Sequence, residues 1–170
     1  MTTSRLLTRL PAALLAVALC GAAAGCGDDS DEASLLELRP VLAASPPPCP
    51  EEADGDGLIA PLNADGKVAE CLELGKPIVD AEDVRSATVA ETKSKEPALS
   101  IVLGGVGSTN LDGHAKANQG KRLAILADGA VVSAPVLQFT SFAGRIQVTG
   151  LSKEKTDDLF RRLNDVIKPG

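Results

Sequence analysis

The sequence predicts an α+β domain in which a mostly antiparallel sheet carries two helices packed on one face. Short apolar segments separated by turn residues recur through residues 34–168, as is typical of antiparallel strands. Two segments, one in the second half of that range and one at its end, instead have the capping and spacing of helices. The range is long enough for one domain with its own hydrophobic core.

The first half of the domain contains strands and turns. Residues 34–42 are apolar and strand-like. Residues 58–62 and 67–74 flank Asn63-Ala64-Asp65-Gly66, and an Asp-Gly pair between apolar segments favours a hairpin turn because these residues tolerate positive φ. We therefore expect one strand followed by a β-hairpin.

The middle of the domain leads into the first helix. Residues 76–92 predict a short strand, a helical turn and another strand, and residues 97–103 predict a buried strand. Gly104–Gly107 interrupts the apolar pattern. We then expect a helix over residues 108–119, with the serine at its start as N-cap and Gly120 just past its end.

The last part of the domain gives the clearest signals. Residues 122–136 read as a β-hairpin around Asp128-Gly129, and residues 145–149 predict one more strand. A final helix follows, with Ser152 as N-cap and Pro169-Gly170 as its stop. Its apolar positions form one stripe: Leu159, Phe160, Leu163, Val166 and Ile167.

The first 25 residues read as a targeting segment rather than as part of the fold. Arg5 and Arg9 precede the apolar residues 10–19, a run shorter than the roughly 20 apolar residues that span a bilayer. Ala23-Ala24-Gly25-Cys26 then resembles a bacterial lipobox. We predict a lipoprotein signal peptide over residues 1–25, cleavage before Cys26, and lipid such as palmitate on that cysteine. An ordinary secretory signal cut nearby is the alternative.

The cysteines fit an exported protein. Of the four cysteines, Cys20 would leave with the signal and Cys26 would carry lipid, which leaves Cys49 and Cys71 in an oxidising compartment. We predict a disulfide between Cys49 and Cys71. A redox site and a zinc site are weaker alternatives, because the sequence has no CxxC redox motif and one histidine with two distant cysteines makes a poor zinc site.

The charge balance excludes some classes of partner. The formal net charge is −6, and residues 26–33 form a short acidic tether between the predicted anchor and the domain. Nucleic-acid binding depends on basic residues that neutralise phosphates, so we expect no nucleic-acid partner. The sequence has no Trp or Tyr and three Phe, which argues against aromatic stacking platforms.

Three motifs could indicate catalysis, phosphate binding or calcium binding, and in each case a purely structural role is favoured. His114 is the one histidine, but no nucleophile and orienting carboxylate can be assigned around it. The glycines of residues 104–108 lack the lysine of a phosphate-binding loop. Asp54-Gly55-Asp56-Gly57 resembles a fragment of a calcium loop without its later ligands, so a turn is favoured.

The second half of the domain carries a resemblance to a known family. The residues that carry it are Leu103-x-x-x-Gly107-x-x-x-Leu111, Asn118-x-Gly120-Lys121-Arg122-Leu123-Ala124-Ile125 and Asp128-Gly129-x-Val131-x-Ser133-Ala134-Pro135-Val136. They resemble the head subdomain of the first extracytoplasmic domain of SecD, a subunit of the SecDF protein-translocation accessory. The resemblance is strongest over residues 103–165 and extends weakly to about residue 34.

The resemblance implies a SecD-head-like α+β fold and a link to protein translocation. SecD proteins carry transmembrane helices that couple proton flow to translocation, whereas this sequence shows no second long apolar run. We therefore expect a head domain held by lipid at the extracytoplasmic face of the cell membrane. Leu111 stands where the family usually has Phe, and His114 where it often has an apolar residue, so the resemblance supports the fold more than the function.

The function expected from these features is binding rather than catalysis. We predict a non-enzymatic lipoprotein, without cofactor or metal, that binds exported polypeptides or Sec translocation components by adding a strand to a sheet edge. The sequence assigns no binding residues. An alternative is a structural or regulatory envelope lipoprotein that docks a folded membrane partner. A third possibility is an enzyme or small-ligand binder that uses His114.

Overall fold

Every strand predicted from the sequence forms in the computed structural model, which describes residues 34–50, 58–64 and 67–167. The predicted signal, Cys26, the acidic tether, Asp54–Gly57 and Pro169-Gly170 lie outside the described residues. The elements, in chain order, are β1 (Leu36–Ser45), β2 (Leu58–Ala64), β3 (Lys67–Leu74), β4 (Val79–Asp80), β5 (Val84–Glu91), β6 (Pro97–Leu103), α1 (Gly105–Ala117), β7 (Leu123–Ala127), β8 (Ala130–Ser133), β9 (Arg145–Val148) and α2 (Lys153–Val166). A turn of 3-10 helix, Ala81–Asp83, joins β4 to β5.

The strands form two antiparallel sheets. The larger sheet has the order β2-β3-β1-β7-β8, with β4 beside the first half of β1. The first half of β1 pairs with β7 and its second half pairs with β3, with an irregularity between Val41 and Ala43. The smaller sheet has the order β5-β6-β9. The predicted α+β class is therefore confirmed, with the strands divided between two sheets.

The main core lies between the two sheets and the helices. It receives Leu36 and Leu38 from β1, and Leu99 and Ile101 from β6, all of which are buried. Both helices contribute to the same core, through Leu111 of α1 and through Leu159 and Leu163 of α2. Burial of each such side chain contributes roughly 1.5–3 kcal/mol.

A second, smaller core lies on the other face of the larger sheet. The buried members of this cluster are Ala60, Leu72, Leu74, Ala124, Leu126 and Val131. They come from β2, β3, β7 and β8, so the sheet curls until strands from its two edges pack against each other. Strand β7 is consequently buried on both faces, which explains why its sequence LAILA lacks the polar alternation of a surface strand.

Helix α1 begins earlier than the sequence indicates. The glycines that we expected to interrupt the chain lie at its start, and Ser108 lies inside the helix instead of capping it. The N-cap is Gly104, whose lack of a side chain leaves the helix without a side-chain cap. A Cβ at Gly107 would lie 2.6 Å from the Cβ of Asp83, so this glycine permits close packing of α1 against the 3-10 turn.

Helix α2 follows the prediction. Ser152 is its N-cap and accepts a hydrogen bond from the backbone N–H of Lys155 at 3.3 Å. Leu159 and Leu163 are buried, whereas Val166, near the end of the predicted stripe, is 39% exposed. None of the helices in the described part of the chain has the length and apolar character needed to span a membrane.

Candidate functional site

An apolar groove opens between the two sheets and has a volume of about 340 Å³. Its floor consists of core residues from β1, α1 and β7, namely Leu38, Leu111, Leu123 and Ile125. One wall is the segment Pro135–Phe139 that follows β8. The other wall is Phe142 together with the first three residues of β9, Arg145–Gln147. We call this depression the β9 groove.

The wall at residues 135–139 is held in place by backbone hydrogen bonds. The N–H of Leu137 donates to the carbonyl of Lys121 at 2.8 Å, and the N–H of Gly120 donates to the carbonyl of Leu137 at 2.9 Å. Leu137 is buried and anchors the segment, while Val136 and Phe139 are 50% and 66% exposed. Two apolar side chains therefore stand at the rim of an apolar groove, a combination typical of interaction sites.

Asp112 of α1 holds the opposite wall. Its carboxylate accepts hydrogen bonds from the Ser141 hydroxyl and from the Phe142 N–H, both at 2.7 Å. These two donors lower the pKa of Asp112, the Phe142 N–H having the larger effect. Gly144 has a φ of +66° and would place a Cβ 2.9 Å from the Ser108 hydroxyl, so the loop lies closely against α1. Asp112 thus holds the backbone of Phe142 against α1.

Strand β9 presents a free edge to the groove. Leu103 donates to the carbonyl of Gly144, so this is a hydrogen-bonded pair of the β6–β9 ladder. Because bonded and non-bonded pairs alternate along an antiparallel ladder, the N–H and C=O of Gln147 point away from β6. These groups have no partner within the described residues, so they are available to a further extended strand.

The electrostatics of the groove are simple. Arg145 is exposed at its rim and makes no ion pair with any residue that the structure describes. The remaining lining is apolar apart from Gln138 and Gln147. The groove therefore offers an apolar floor, backbone hydrogen-bonding groups and one cation, a set suited to binding an extended peptide.

The predicted cysteine pair lies elsewhere. The structure forms the disulfide between Cys49 and Cys71, with their Cα atoms 5.3 Å apart. Cys71 lies on β3, opposite Ser45 of β1 and Pro61 of β2, and is buried. The bridge therefore ties the proline-rich segment after β1 to the hairpin β2–β3, and it is a structural feature rather than part of the groove.

His114 lies on α1 beside Asn118. Its Nδ1 is 3.3 Å from the Nδ2 of Asn118, and its pKa is lowered first by burial and then by the positive charge of Lys121. Neither of these two neighbours is a carboxylate, the group that orients the imidazole in a catalytic triad. Over the described ranges, no group of three or more metal-ligating side chains occurs.

The residues that build the β9 groove were not assigned from the sequence. The available signal was aromatic content, since Phe139 and Phe142 are two of only three phenylalanines in a chain without Trp or Tyr. Asp112 and Arg145 gave no local signal, because their roles depend on contacts between segments that are distant in sequence.

Comparisons with known proteins agree with this fold. The protein translocase subunit SecD of Aquifex aeolicus is 35% identical over 74 residues, which are 44% of this chain and 15% of that protein. The protein translocase subunit SecDF of Thermus thermophilus is 31% identical over 80 residues, or 47% of this chain and 11% of that protein. The chain thus matches 11–15% of the length of these relatives.

Two solved structures share the architecture. The structure of a membrane component SecDF that enhances protein export has a TM-score of 0.56 at 22% identity, covering 78% of this chain and 62% of that chain. SecDF in a super-membrane-facing form has a TM-score of 0.55 at 19% identity, covering 80% of this chain and 19% of that chain.

A family model that matches more than half of this chain shows the family to which it belongs. The model described as SecDF, P1 head subdomain, matches residues 60–165, which begins well before the range of strongest resemblance expected from the sequence. The match begins at the third residue of β2 and covers every following element up to residue 165 of α2. The chain therefore belongs to the SecDF P1 head subdomain family.

Proposed function

We propose that this protein is a non-enzymatic lipoprotein of the extracytoplasmic membrane face, which binds extended polypeptide during protein export. The observation that carries the proposal is the β9 groove, where an apolar floor lies beside a free strand edge. The family membership supports the link to export, because the relatives are protein translocase subunits. The lipobox ending in Cys26 supports anchoring by lipid.

The geometry suggests how a client segment would bind. An extended peptide would exchange backbone hydrogen bonds with Gln147 and place alternate side chains over Leu38 and Ile125. Backbone recognition is independent of sequence, and a shallow apolar floor accepts many side chains. Both properties suit a domain that meets unfolded chains of varied sequence. Sec translocation components are the expected partners that would present such chains.

The proposal is tested by site-specific photo-crosslinking. A photoreactive phenylalanine analogue replaces Val136, at the groove rim, in the full chain expressed in a bacterium. The matched control carries the same analogue at Val106, an apolar residue of α1 that is 71% exposed and does not line the groove. We expect the Val136 site to capture exported polypeptides of many sizes and the Val106 site to capture few.

Other results would contradict the proposal. Equal capture at the two sites would mean that the groove has no special affinity for polypeptide. Capture of a single folded membrane protein in a one-to-one product would instead support the alternative of a regulatory or structural envelope lipoprotein. Capture that persists when the Phe139→Asp substitution charges the groove rim would also contradict binding in the groove.

A further inference from the structure

The second free edge of the smaller sheet lies on β5, and its chemistry differs from that of the β9 groove. Five of its eight residues are exposed, including Val89 at 42%. Apart from the β6 ladder, residues 85–91 make no hydrogen bond to any part of the chain that the structure describes. No groove residue lies on this strand. We call residues 85–91 the β5 edge.

The ladder fixes which backbone groups of the β5 edge point outward. Thr92 donates to the carbonyl of Glu96, so these two residues form a hydrogen-bonded pair. Hydrogen-bonded and non-bonded pairs of residues then alternate from this pair back along β5. Residues 86, 88 and 90 therefore bond to β6. The N–H and C=O groups of Ala87, Val89 and Glu91 point away from the sheet.

We propose that the β5 edge pairs with the β5 edge of a second copy of this chain, antiparallel and centred on Thr88. In this register Ala87 lies opposite Val89 of the second copy. The outward-pointing N–H and C=O groups of one copy therefore face those of the other copy. Thr88 lies opposite itself at the two-fold axis. The two three-stranded sheets would then form one continuous sheet.

Charge complementarity selects this register. Arg85 lies opposite Glu91 of the second copy, and Glu91 lies opposite Arg85, which gives two symmetric opposite-charge pairs. Neither residue has an ion pair within the described residues; Asp157 is the main cause of the raised pKa of Lys153, and the charge of Glu91 adds a smaller contribution. Both side chains are exposed and available. The irregularity between Val84 and Ser86 leaves Arg85 without a partner on β6, whereas residues 86–90, at the centre of the paired segment, stay in regular register.

Neighbouring registers lose both opposite-charge pairs. Sliding the second copy by two residues in either direction moves Arg85 away from Glu91 of the second copy. The sequence of the β5 edge therefore favours one register over its two closest competitors.

Disulfide crosslinking tests the register directly. A non-bonded antiparallel pair has Cα atoms about 4.5 Å apart, within the range that a disulfide accepts, so Thr88→Cys should crosslink two copies of the full chain. Ser86→Cys is the matched control, because the two copies of residue 86 would be roughly 13 Å apart. Both positions are exposed, and the unsubstituted chain gives the background from the natural cysteines.

Charge variants complete the test. In the Thr88→Cys background, Arg85→Glu should lower the crosslinked fraction at limiting protein concentration by roughly tenfold, because both pairs become repulsive. Adding Glu91→Arg to that variant should restore crosslinking. The proposal would be overturned by equal crosslinking at residues 86 and 88, or by no crosslinking at residue 88. It would also be overturned by a crosslinked fraction that does not change with the charge substitutions. A Thr88→Cys product with a different protein would overturn it as well.

Discussion

Asp112 holds one wall of the β9 groove in place through its hydrogen bonds to the loop that carries Phe142. We expect Asp112→Asn to lower the melting temperature at neutral pH, because an amide replaces a carboxylate that accepts two hydrogen bonds at 2.7 Å. The same change should weaken polypeptide capture at Val136, since the loop that carries Phe142 loses its attachment to α1. Thermal melts and the crosslinking yield measure the two effects.

The pKa of Asp112 gives this prediction a pH signature. Its pKa lies below the ordinary value of 3.8, so the carboxylate contributes stability above that pH. The contribution is lost as the pH falls through the lower pKa of the folded state. The gap in melting temperature between the natural chain and Asp112→Asn should therefore be constant near neutrality and shrink below about pH 3.8. A gap that persists unchanged in strong acid would show that the hydrogen bonds to the charged carboxylate are not its cause.

At the scale of elements, one arginine connects β3 to the segments beside β7 and β8 in the curled sheet. Arg122, just before β7, donates to both carboxylate oxygens of Glu70 on β3, at 2.9 and 2.6 Å, and to the carbonyl of Ala134 after β8 at 3.0 Å. The pair lowers the pKa of Glu70 and raises the pKa of Arg122. We expect Arg122→Ala to lower the free energy of unfolding by about 2 kcal/mol, measured by urea denaturation.

The comparison for this variant is Arg161→Ala. Within the described residues, Arg161 pairs with Asp158 on the same helix, and the two side chains are 72% and 43% exposed. Exposed pairs of this kind contribute roughly 0–1 kcal/mol, so the control should lose little stability. Similar losses in the two variants would mean that Arg122 does not hold the sheet closed. Arg122→Lys should recover only part of the loss, because lysine lacks the planar, two-pronged geometry.

The disulfide stabilises the hairpin β2–β3 in a different way. Cys49 and Cys71 are 22 residues apart, and closing a loop of that size contributes roughly 3 kcal/mol by restricting the unfolded chain. We expect the double variant Cys49→Ala, Cys71→Ala to lose about this much free energy of unfolding. A reductant should destabilise the natural chain by a similar amount and leave the double variant unchanged. If the reductant affects both proteins equally, the loss comes from another source.

The boundaries of most elements could be predicted because their signals are local. The alternating residues of β1 and β3, the Asp128-Gly129 turn and the Ser152 cap all act within a few residues. The start of α1 could not be predicted in this way. Gly107 looks like a helix breaker, but it is present because Asp83, on a different element, comes within 2.6 Å of where its Cβ would be. A contact over such a separation leaves no mark on local periodicity.

The β9 groove could not be predicted from the sequence for a related reason. Its floor combines Leu38, Leu111 and Leu123, which the sequence correctly indicates as apolar strand or helix positions but cannot place side by side. Its position depends on the division of the strands into two sheets, and this division follows from β6 pairing with β5 and β9 alone. The choice of strand partners is made by the whole core. Sequence periodicity therefore predicts the strands and the helix that form the groove, but it does not predict that they lie side by side.

At the scale of the whole molecule, the two proposed binding edges do not compete. In the order β5-β6-β9 the β5 edge and the β9 groove lie on opposite sides of the same small sheet. A pair of copies joined through β5 would leave both grooves open. Two weak sites held at a fixed spacing bind one long extended chain more tightly than either site alone, because the second contact is intramolecular. Self-pairing would therefore increase the capture of unfolded polypeptides.

Cys26 is the residue through which we expect the molecule to be held at the membrane. We expect Cys26→Ser to move the protein from the membrane fraction to the soluble fraction, because each buried methylene of an attached acyl chain contributes roughly 0.8 kcal/mol and the substitution removes every chain. Cys20→Ser is the control and should leave the fractionation unchanged, since bulky Leu19 precedes that cysteine and disfavours cleavage there. The released protein should keep its melting temperature and the Cys49–Cys71 disulfide, because Cys26 lies outside the domain predicted over residues 34–168, which contains both disulfide cysteines. A Cys26→Ser protein that stays in the membrane fraction as fully as the natural chain would show that lipid on this cysteine is not the anchor.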